Sequence, residues 1–291
     1  MLMVRVFAER TLASPTDEMS YFGGPPLYYA GDETVHVSCS FSWTKRRAER
    51  LAELWRQAGY PDVQVGGPAY GDRGGDFTPG RYLAKGYVIT SRGCNNRCWF
   101  CDVWQREGQI RELPITGGWI VCDSNLLQCS RQHIEAVFAM LAEQTQPAQF
   151  KGGFEAAILE DWHVELLAAL KTRRDKRGGV GRLYFAYDTP EDYEPLRRAA
   201  KMVFEAGFSP RSHNVCAYVL IGFAGDTFEK AEARLRQVVD LGVTPFAMLY
   251  IDQTGYRNPT WSSFQREWAR QAIIYASDLI EEQSLFERAG S

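Results

Sequence analysis

Three of the seven cysteines lie within eight residues, in the segment Ser91–Asp102 (SRGCNNRCWFCD). Cys94, Cys98 and Cys101 have the spacing C-x3-C-x2-C, and three thiolates in one loop suit zinc or an iron–sulfur cluster. A structural zinc site needs a fourth protein ligand, whereas a four-iron cluster held by three cysteines leaves one iron open for a substrate or cofactor. The other four cysteines form no second C-x2-C pair and are expected to be buried thiols: Cys39, Cys122, Cys129 and Cys216.

The composition is that of an ordinary globular chain. It has 291 residues, 45% apolar and 24% charged, and a net charge of −3, which does not indicate a general nucleic-acid binder. An N-terminus interrupted by Arg5, Glu9 and Arg10 predicts no signal peptide, and the apolar runs are too short to predict a membrane span. We therefore expect a cytoplasmic protein, whose reducing surroundings favour metal-binding cysteines over disulfides.

The elements before the cysteine cluster form a small unit. Thr34–Phe41 and Asp62–Val65 are typical of strands, and Thr44–Gln57 has helical spacing of its apolar residues. This order predicts a β-α-β unit within residues 1–80. The segment Ala69–Gly80, rich in Gly, Asp and Pro, is expected to link it to a second domain over residues 81–291.

The second domain alternates predicted strands and helices. The six strands are predicted at Gly86–Thr90, Gly118–Asp123, Gln149–Gly153, Arg182–Asp188, Asn214–Ile221 and Pro245–Ile251. The five helices are predicted at Arg131–Gln144, Trp162–Thr172, Glu191–Ala206, Phe228–Leu241 and Trp261–Ala276. Thr189-Pro190 predicts one helix start, and Asp226 with Glu229 predicts a capping-box-like start for another. Strands as apolar as AYVLIG require cover on both faces, so this alternation predicts an α/β fold: a partial, TIM-like (β/α)6 barrel with a C-terminal helical extension.

The cysteine spacing after the first barrel strand resembles the radical S-adenosylmethionine (radical SAM) superfamily, over roughly residues 81–255. The aromatic Phe100 before the last cysteine fits this resemblance. It implies a [4Fe–4S] cluster on Cys94, Cys98 and Cys101, whose open iron binds S-adenosylmethionine. It also implies an electron donor such as flavodoxin or ferredoxin, and reductive cleavage to a 5′-deoxyadenosyl radical that takes hydrogen from a substrate. Trp99 and Phe100 are candidates for a dry shell around the cluster, and ordinary core packing is the alternative for each ring.

A second segment, Lys151–Glu155 (KGGFE), resembles the Gly-Gly-Glu element that holds the amino group of S-adenosylmethionine. The resemblance implies that Gly152 and Gly153 let the ligand approach and that Glu155 receives the ammonium. In this chain one extra residue precedes Glu155, and the element ends the third predicted strand instead of the second. Asp123, which ends the second strand, is therefore the alternative carboxylate, and a plain tight turn is the alternative interpretation of the two glycines.

Two later strand ends carry further implied contacts. Asn214–Thr227 resembles the segment that packs on adenine, with Ile221 and Gly222 against the base. The alternative is a core strand and turn. Asp188 ends the fourth predicted strand, where the family often places a ribose- or substrate-binding residue, and its alternative role is to cap the following helix.

The N-terminal unit weakly resembles the start of a cobalamin-binding domain, through VHVSCSFSW, the helix after it and VQVGGPA. That domain carries an Asp-x-His-x-x-Gly ligand loop, which this chain lacks before residue 81. The resemblance therefore implies a shortened unit that packs on the barrel and holds no cobalamin.

The sequence predicts a radical SAM enzyme acting on a small molecule or a nucleotide. Base modification in a nucleic acid is one specific candidate, although the charge does not indicate it. The alternative is a non-catalytic iron–sulfur or zinc protein with a structural or redox-sensing role. No second cysteine trio is present for an auxiliary cluster, which argues against methylthiolation.

Overall fold

The computed structural model describes residues 3–26, 33–171, 179–252 and 254–269. These residues form parallel sheets and helices in two compact units, which confirms the predicted α/β class. The first unit contains the described residues up to Tyr184 together with Thr254 and Gly255, and the second begins at Phe185. The boundary predicted after Gly80 thus lies inside the first unit. Within the described ranges, every helix is too short or too polar to cross a bilayer.

The first sheet of the first unit has four strands. Its elements are β1 (Met3–Phe7), β2 (Ser20–Tyr21), β3 (Thr34–Ser38), the helix α1 (Lys45–Gln57) and β4 (Val63–Gly66). The strands pair in the order β2–β1–β3–β4, and all of these pairs are parallel. The predicted β-α-β unit is present as β3, α1 and β4, whereas β1 and β2 were not predicted.

One face of this sheet packs on α1, because side chains alternate between the two faces of a strand. Val4, Val6, Val35 and Val37 are buried on that side. The helix covers them with residues spaced i, i+3, i+4 and i+7, which form one apolar stripe: Ala48, Leu51, Ala52 and Trp55. The opposite face is polar along one row of the register, since Arg5 lies opposite His36 and His36 lies opposite Gln64.

The rest of the first unit contains the cysteine segment. Its elements are β5 (Tyr87–Val88), β6 (Ser91–Arg92), α2 (Val103–Arg106), β7 (Arg111–Glu112), β8 (Ile120–Val121), α3 (Arg131–Ala142), β9 (Ala148–Phe154), α4 (Asp161–Lys171) and the start of β10 (Val180–Tyr187). The strand order is β10–β9–β8–β5, with β5, β8 and β9 parallel. The strands β6 and β7 form an antiparallel hairpin that was not predicted, and the three clustered cysteines lie between them.

The second unit continues the alternation. After the end of β10 it contains α5 (Tyr193–Glu205), β11 (Val215–Ile221), α6 (Phe228–Asp240), β12 (Thr244–Leu249) and α7 (Pro259–Trp268). The strand order is β12–β11–β10, and β11 and β12 are parallel. The last predicted helix extends to Ala276, but residues from 270 onward lie outside the described ranges.

Two helix starts in this unit test the capping predictions. Thr189 and Asp192 form a capping box around the short 3-10 turn that leads into α5, as Thr189-Pro190 predicted. The predicted start at Asp226 is wrong, because Thr227 is the residue that caps α6, by accepting the N–H of Lys230. The Asp226 carboxylate instead accepts the N–H of Gly222 and pairs with an arginine of α6.

Candidate functional site

The cysteine loop is fixed at its base by backbone contacts. Gly93 has a φ of +87°, and a Cβ there would lie 2.3 Å from the carbonyl oxygen of Gln109. Only glycine suits such a position. The N–H of Cys94 donates to the Gly108 carbonyl at 3.0 Å, and the N–H of Gly93 donates to the buried carboxylate of Glu107 at 2.9 Å. These bonds hold the first cysteine in a defined place.

The three clustered thiols are half-buried, and none of the seven cysteines forms a disulfide. Burial raises the pKa of the Cys101 thiol, and the nearby Cys94 acts in the same direction. The side-chain amide of Asn125 donates through Nδ2 to Cys94 Sγ at 3.7 Å. The indole of Trp104 donates to the carbonyl of Cys98 at 3.2 Å.

Glu155 is joined to this loop by two amide side chains. Its Oε2 accepts Nδ2 of Asn125 at 2.7 Å and Nε2 of Gln128 at 2.9 Å. Gln128 also accepts the N–H of Asn95, inside the cysteine loop, at 2.7 Å. The other oxygen of Glu155, Oε1, makes no hydrogen bond within the described residues, and the side chain is half-buried. Glu155 is therefore oriented beside Cys94 with one oxygen left for a ligand.

Asp123, the alternative carboxylate, has a different environment. It is 1% exposed, and it accepts three hydrogen bonds: from the Thr90 N–H at 2.7 Å, the Thr90 hydroxyl at 2.6 Å and the Ser91 hydroxyl at 2.8 Å. Burial raises the pKa of this carboxyl, although these hydrogen bonds act to lower it. Asp123 thus connects the end of β8 to the segment that joins β5 and β6.

The glycine pair before Glu155 lies inside β9 and is not a separate turn. A Cβ on Gly152 would lie 1.7 Å from the carbonyl oxygen of Asp123, so the backbones of two strand ends meet there. Gly153 has a φ of +86°, which only glycine adopts readily. Both glycines are explained by backbone geometry, and this geometry directs the chain from β9 to Glu155.

The two aromatic residues of the loop are only partly placed as expected. Trp99 and Phe100 meet edge to face, with ring centroids 5.3 Å apart. Phe100 is half-buried, but Trp99 is 59% exposed. The expectation that Trp99 keeps the loop dry is therefore wrong, because most of its indole faces solvent.

The four remaining cysteines are thiols away from this loop. Cys39 and Cys216 are buried as expected, whereas Cys122 and Cys129 are half-buried. Burial raises the pKa of both half-buried thiols to about 11, so they are protonated at neutral pH.

In the second unit, Asp188 does not cap a helix. The capping acceptor is Asp192, which receives the backbone N–H of both Asp188 and Thr189. Burial, and then the nearby charge of Asp192, raise the pKa of Asp188 to about 7. Asp188 is therefore a carboxyl that changes its protonation near neutral pH.

Of the two predicted adenine contacts, Ile221 is buried and Gly222 is half-buried. Ile221 has no exposed surface. Gly222 has a φ of +74°, and a Cβ there would lie 2.7 Å from a methyl group of Leu249 and 3.0 Å from the indole of Trp261. These contacts correspond to the alternative interpretation, a core strand followed by a turn.

Sequence reasoning missed three residues that organise this site: Glu107, Asn125 and Gln128. Asn125 belongs to the segment Cys122–Asn125 at the end of a predicted strand, and strand-end polar residues are a recognisable signal. Glu107 and Gln128 gave no such signal, since their roles depend on contacts to Gly93 and Glu155 that a linear pattern does not contain.

The donor set suits an iron–sulfur cluster in its chemistry. Thiolates are the usual ligands of such clusters, and hydrogen bonds to sulfur, as Asn125 makes to Cys94, tune them. Across the described ranges, no group of three or more His, Cys, Asp or Glu side chains is placed to hold a metal ion. Compared with known proteins, the chain matches no protein-family model and no curated protein.

Proposed function

We propose that this chain is a radical SAM enzyme built on a partial (β/α)6 barrel. Cys94, Cys98 and Cys101 would hold a [4Fe–4S] cluster, and Glu155 would hold the amino group of S-adenosylmethionine. When bound, the cluster would pass one electron from the external reductant to S-adenosylmethionine, whose S–C5′ bond would break to give methionine and a 5′-deoxyadenosyl radical able to take a hydrogen atom from a substrate. The observation that carries the proposal is the amide bridge that joins Glu155 to the cysteine loop.

The polar groups beside Cys94 match an ammonium. Glu155 Oε1 is available as an acceptor, and Asn125 Oδ1 is buried without a hydrogen-bond partner among the described residues. A buried acceptor without a donor is costly. An ammonium group carries three N–H donors and a positive charge, which match a carboxylate and an amide oxygen in their chemistry. Asn125 and Gln128 hold the carboxylate in place.

Asp123 has no such capacity. All three of its hydrogen bonds connect strand ends, and it lacks exposed surface for a charged ligand. In this proposal Asp123 therefore positions the cysteine loop, through Thr90 and Ser91, and does not touch the ligand.

The remaining parts of the proposal concern the partners. The substrate is a small molecule or a nucleotide, base modification of a nucleic acid being one candidate. The reductant is flavodoxin or ferredoxin, and the location is the cytoplasm. Asp188 is kept as a candidate ribose or substrate contact because it directly follows β10 and is half-buried. Ile221 and Gly222 are not kept as adenine contacts, because protein side chains fill the space beside them.

The test is anaerobic purification followed by metal analysis and a cleavage assay. We expect about four irons per chain and formation of 5′-deoxyadenosine only after reduction in the presence of S-adenosylmethionine. Zinc without iron would contradict the proposal and support a structural zinc protein. A reducible iron cluster that yields no 5′-deoxyadenosine would support the redox-sensing alternative.

A further inference from the structure

The first unit contains a cavity of about 550 Å³ that the proposed reaction does not use. It lies on the polar face of the first sheet, where His36 and Gln64 line it, and the segment over residues 72–83 covers it. Ser38 ends β3 and Gly67 follows β4, so the carboxyl ends of two parallel strands reach the cavity. Ligands of open α/β sheets bind at such ends, and this volume is that of a small-molecule site.

The cover is held in place independently of any ligand. Arg5, on the polar face of β1, donates to the carbonyl of Gly80 at 2.8 Å and to that of Arg81 at 2.7 Å. Its guanidinium also pairs with Asp17. Because Arg5 is already bound, the cavity beside it is a formed feature of the unit and not a gap between loose segments.

Two arginines line the cavity without an ion-pair partner. Neither Arg81 nor Arg92 has a carboxylate oxygen within ion-pair distance in the described part of the chain. The guanidinium of Arg92 lies against Gly74, where a Cβ would be 2.5 Å from its central carbon, and its Nε donates to the Gly75 carbonyl at 3.3 Å. The carboxylates of Glu107 and Asp72 act on Arg92 electrostatically but do not pair with it within the described residues. A partly buried guanidinium with no carboxylate in direct contact favours an anionic ligand, and its planar fork suits a phosphate group.

Acceptors for a neutral polar group lie on the same walls. Asp72 and Asp76 line the cavity, and neither carboxylate forms an ion pair within the described ranges. His36 also lines it, and its Nδ1 is buried without a hydrogen-bond partner among the described residues. Carboxylates accept hydrogen bonds from sugar hydroxyls, and an imidazole nitrogen pairs with the N–H or acceptor edge of a heterocycle.

A third part of the cavity lining, beside the arginines and the hydrogen-bond acceptors, is aromatic and apolar. The rings of Tyr82 and His36 meet edge to face, with centroids 5.2 Å apart. Phe77, Leu83 and Ile89 add apolar surface beside them. A flat ring packs well against such surfaces.

We infer that this cavity binds a nucleoside monophosphate, with its phosphate on Arg81 and Arg92, its sugar hydroxyls towards Asp72 and Asp76, and its base against Tyr82 and His36. A ligand with an anionic group, a diol and a flat ring matches the arginines, the acceptors and the aromatic surface, whereas a simple anion matches only the arginines. This inference goes beyond the proposed radical chemistry and does not depend on it, because the binding needs neither iron nor S-adenosylmethionine.

The test is isothermal titration calorimetry of the full chain with AMP, GMP, CMP and UMP, the matching nucleosides, and inorganic phosphate. We expect at least one nucleotide to bind about tenfold or more tightly than both its nucleoside and phosphate. Arg81→Gln and Arg92→Gln should each weaken that binding by about tenfold. Arg197→Gln is the matched control, since Arg197 is exposed and its ion-pair partner among the described residues is Glu194, one turn earlier in α5.

The outcomes separate clearly. If no nucleotide binds better than phosphate, or if both cavity variants bind as the wild type does, the inference is overturned. Arg92→Gln removes a contact to the Gly75 carbonyl, so its melting temperature must be measured. If that variant does not fold, Arg81→Gln decides, because Arg81 is exposed and the partners of its side chain in the described ranges are the sulfur of Met3 and the ring of Tyr82.

Discussion

Polar side chains follow the strands of both units, but the two sets differ in how far they are open to a ligand. In the first unit, Glu155 is half-buried and keeps one oxygen without a hydrogen bond inside the described part of the chain. In the second unit, the side chain of Asp226 has no exposed surface and that of Arg234 is 10% exposed, and they pair at 2.9 Å. Arg234 also donates to the Leu220 carbonyl at 2.9 Å. Strand-end polar groups therefore leave an open hydrogen-bond acceptor in one place and stabilise the turn after β11 in the other.

The same contrast occurs between two neighbouring strand ends of the first unit. Asp123 and Glu155 follow β8 and β9, and the sequence alone left both as candidates for the same role. Burial and the number of hydrogen bonds distinguish them, because Asp123 receives three hydrogen bonds and is 1% exposed. A carboxylate in a binding site needs both an orienting partner and an unused acceptor, and Glu155 has both.

The largest expected effect is on the cysteine loop. Cys98→Ala should reduce the iron content of anaerobically purified protein to background, because a four-iron cluster does not survive on two thiolates. Cys122→Ala is the matched control, since Cys122 is also half-buried but lies outside the loop. Full iron in Cys98→Ala would refute the ligand assignment.

The next effect concerns the buried ion pair of the second unit. Arg234→Met should lower the free energy of unfolding by about 3–5 kcal/mol, because it leaves the Asp226 charge buried without its partner. Arg236→Met, in the same helix, removes an exposed pair with Glu232 and should cost less than about 1 kcal/mol. Urea unfolding measures both free energies. Equal decreases in the two variants would contradict the expectation that the buried pair contributes more to stability than the exposed pair.

A pH effect is expected from Asp188. Because burial raises its pKa to about 7, the folded chain keeps a proton that the unfolded chain loses above the ordinary value of 3.8. The contribution of this group to stability is therefore full below about pH 4, falls between about pH 4 and 7, and stays low above that. Asp188→Asn should remove this fall and stabilise the protein at pH 8 by up to about 4 kcal/mol.

Urea unfolding of wild type and Asp188→Asn at several pH values between 4 and 8 gives the measurement. Asp62→Asn is the control, because it makes the same substitution at an exposed aspartate. Parallel profiles for wild type and Asp188→Asn would show that the Asp188 carboxyl is ionised at neutral pH.

The smallest effect is expected at Glu155. Glu155→Gln should weaken S-adenosylmethionine binding by about tenfold, since a neutral amide loses the charge but keeps the shape. The melting temperature should change little, because the side chain is only half-buried. Glu143→Gln, which alters an exposed carboxylate at the end of α3, is the control in the same binding assay. Unchanged affinity in Glu155→Gln would contradict the proposal that Glu155 binds the amino group of S-adenosylmethionine.

Periodic apolar residues made most of the fold predictable. All five predicted helices from Arg131 onward are present, as are the predicted strands, because their apolar faces are local features of the chain. The strand β1 was missed because Arg5 interrupts its apolar run, and the partners that accommodate that charge are distant in sequence. The hairpin of β6 and β7 was missed because each strand has only two residues, too few for a period.

The candidate site was predictable only where the sequence spacing of residues indicates their chemistry. Cys94, Cys98 and Cys101 stand out by their separation alone. The choice between Asp123 and Glu155 depended on burial, and the role of Gln128 depended on a contact across 27 residues. The capping residue of α6 was predicted wrongly for a related reason. Asp226 and Thr227 are both residue types that cap helices well, and the tertiary partner of Asp226 decides between them.

The contact between Arg5 and the backbone of Gly80 and Arg81 also constrains how the protein is made. The two ends of this contact are 75 and 76 residues apart, and the Ala84 N–H donates to the Ala13 carbonyl across a similar distance. Because β1 precedes these partners along the chain, its polar face is covered only after the residues up to Ala84 have been made. Folding of this sheet therefore includes the closure of a long loop, and contacts of such high sequence separation form slowly.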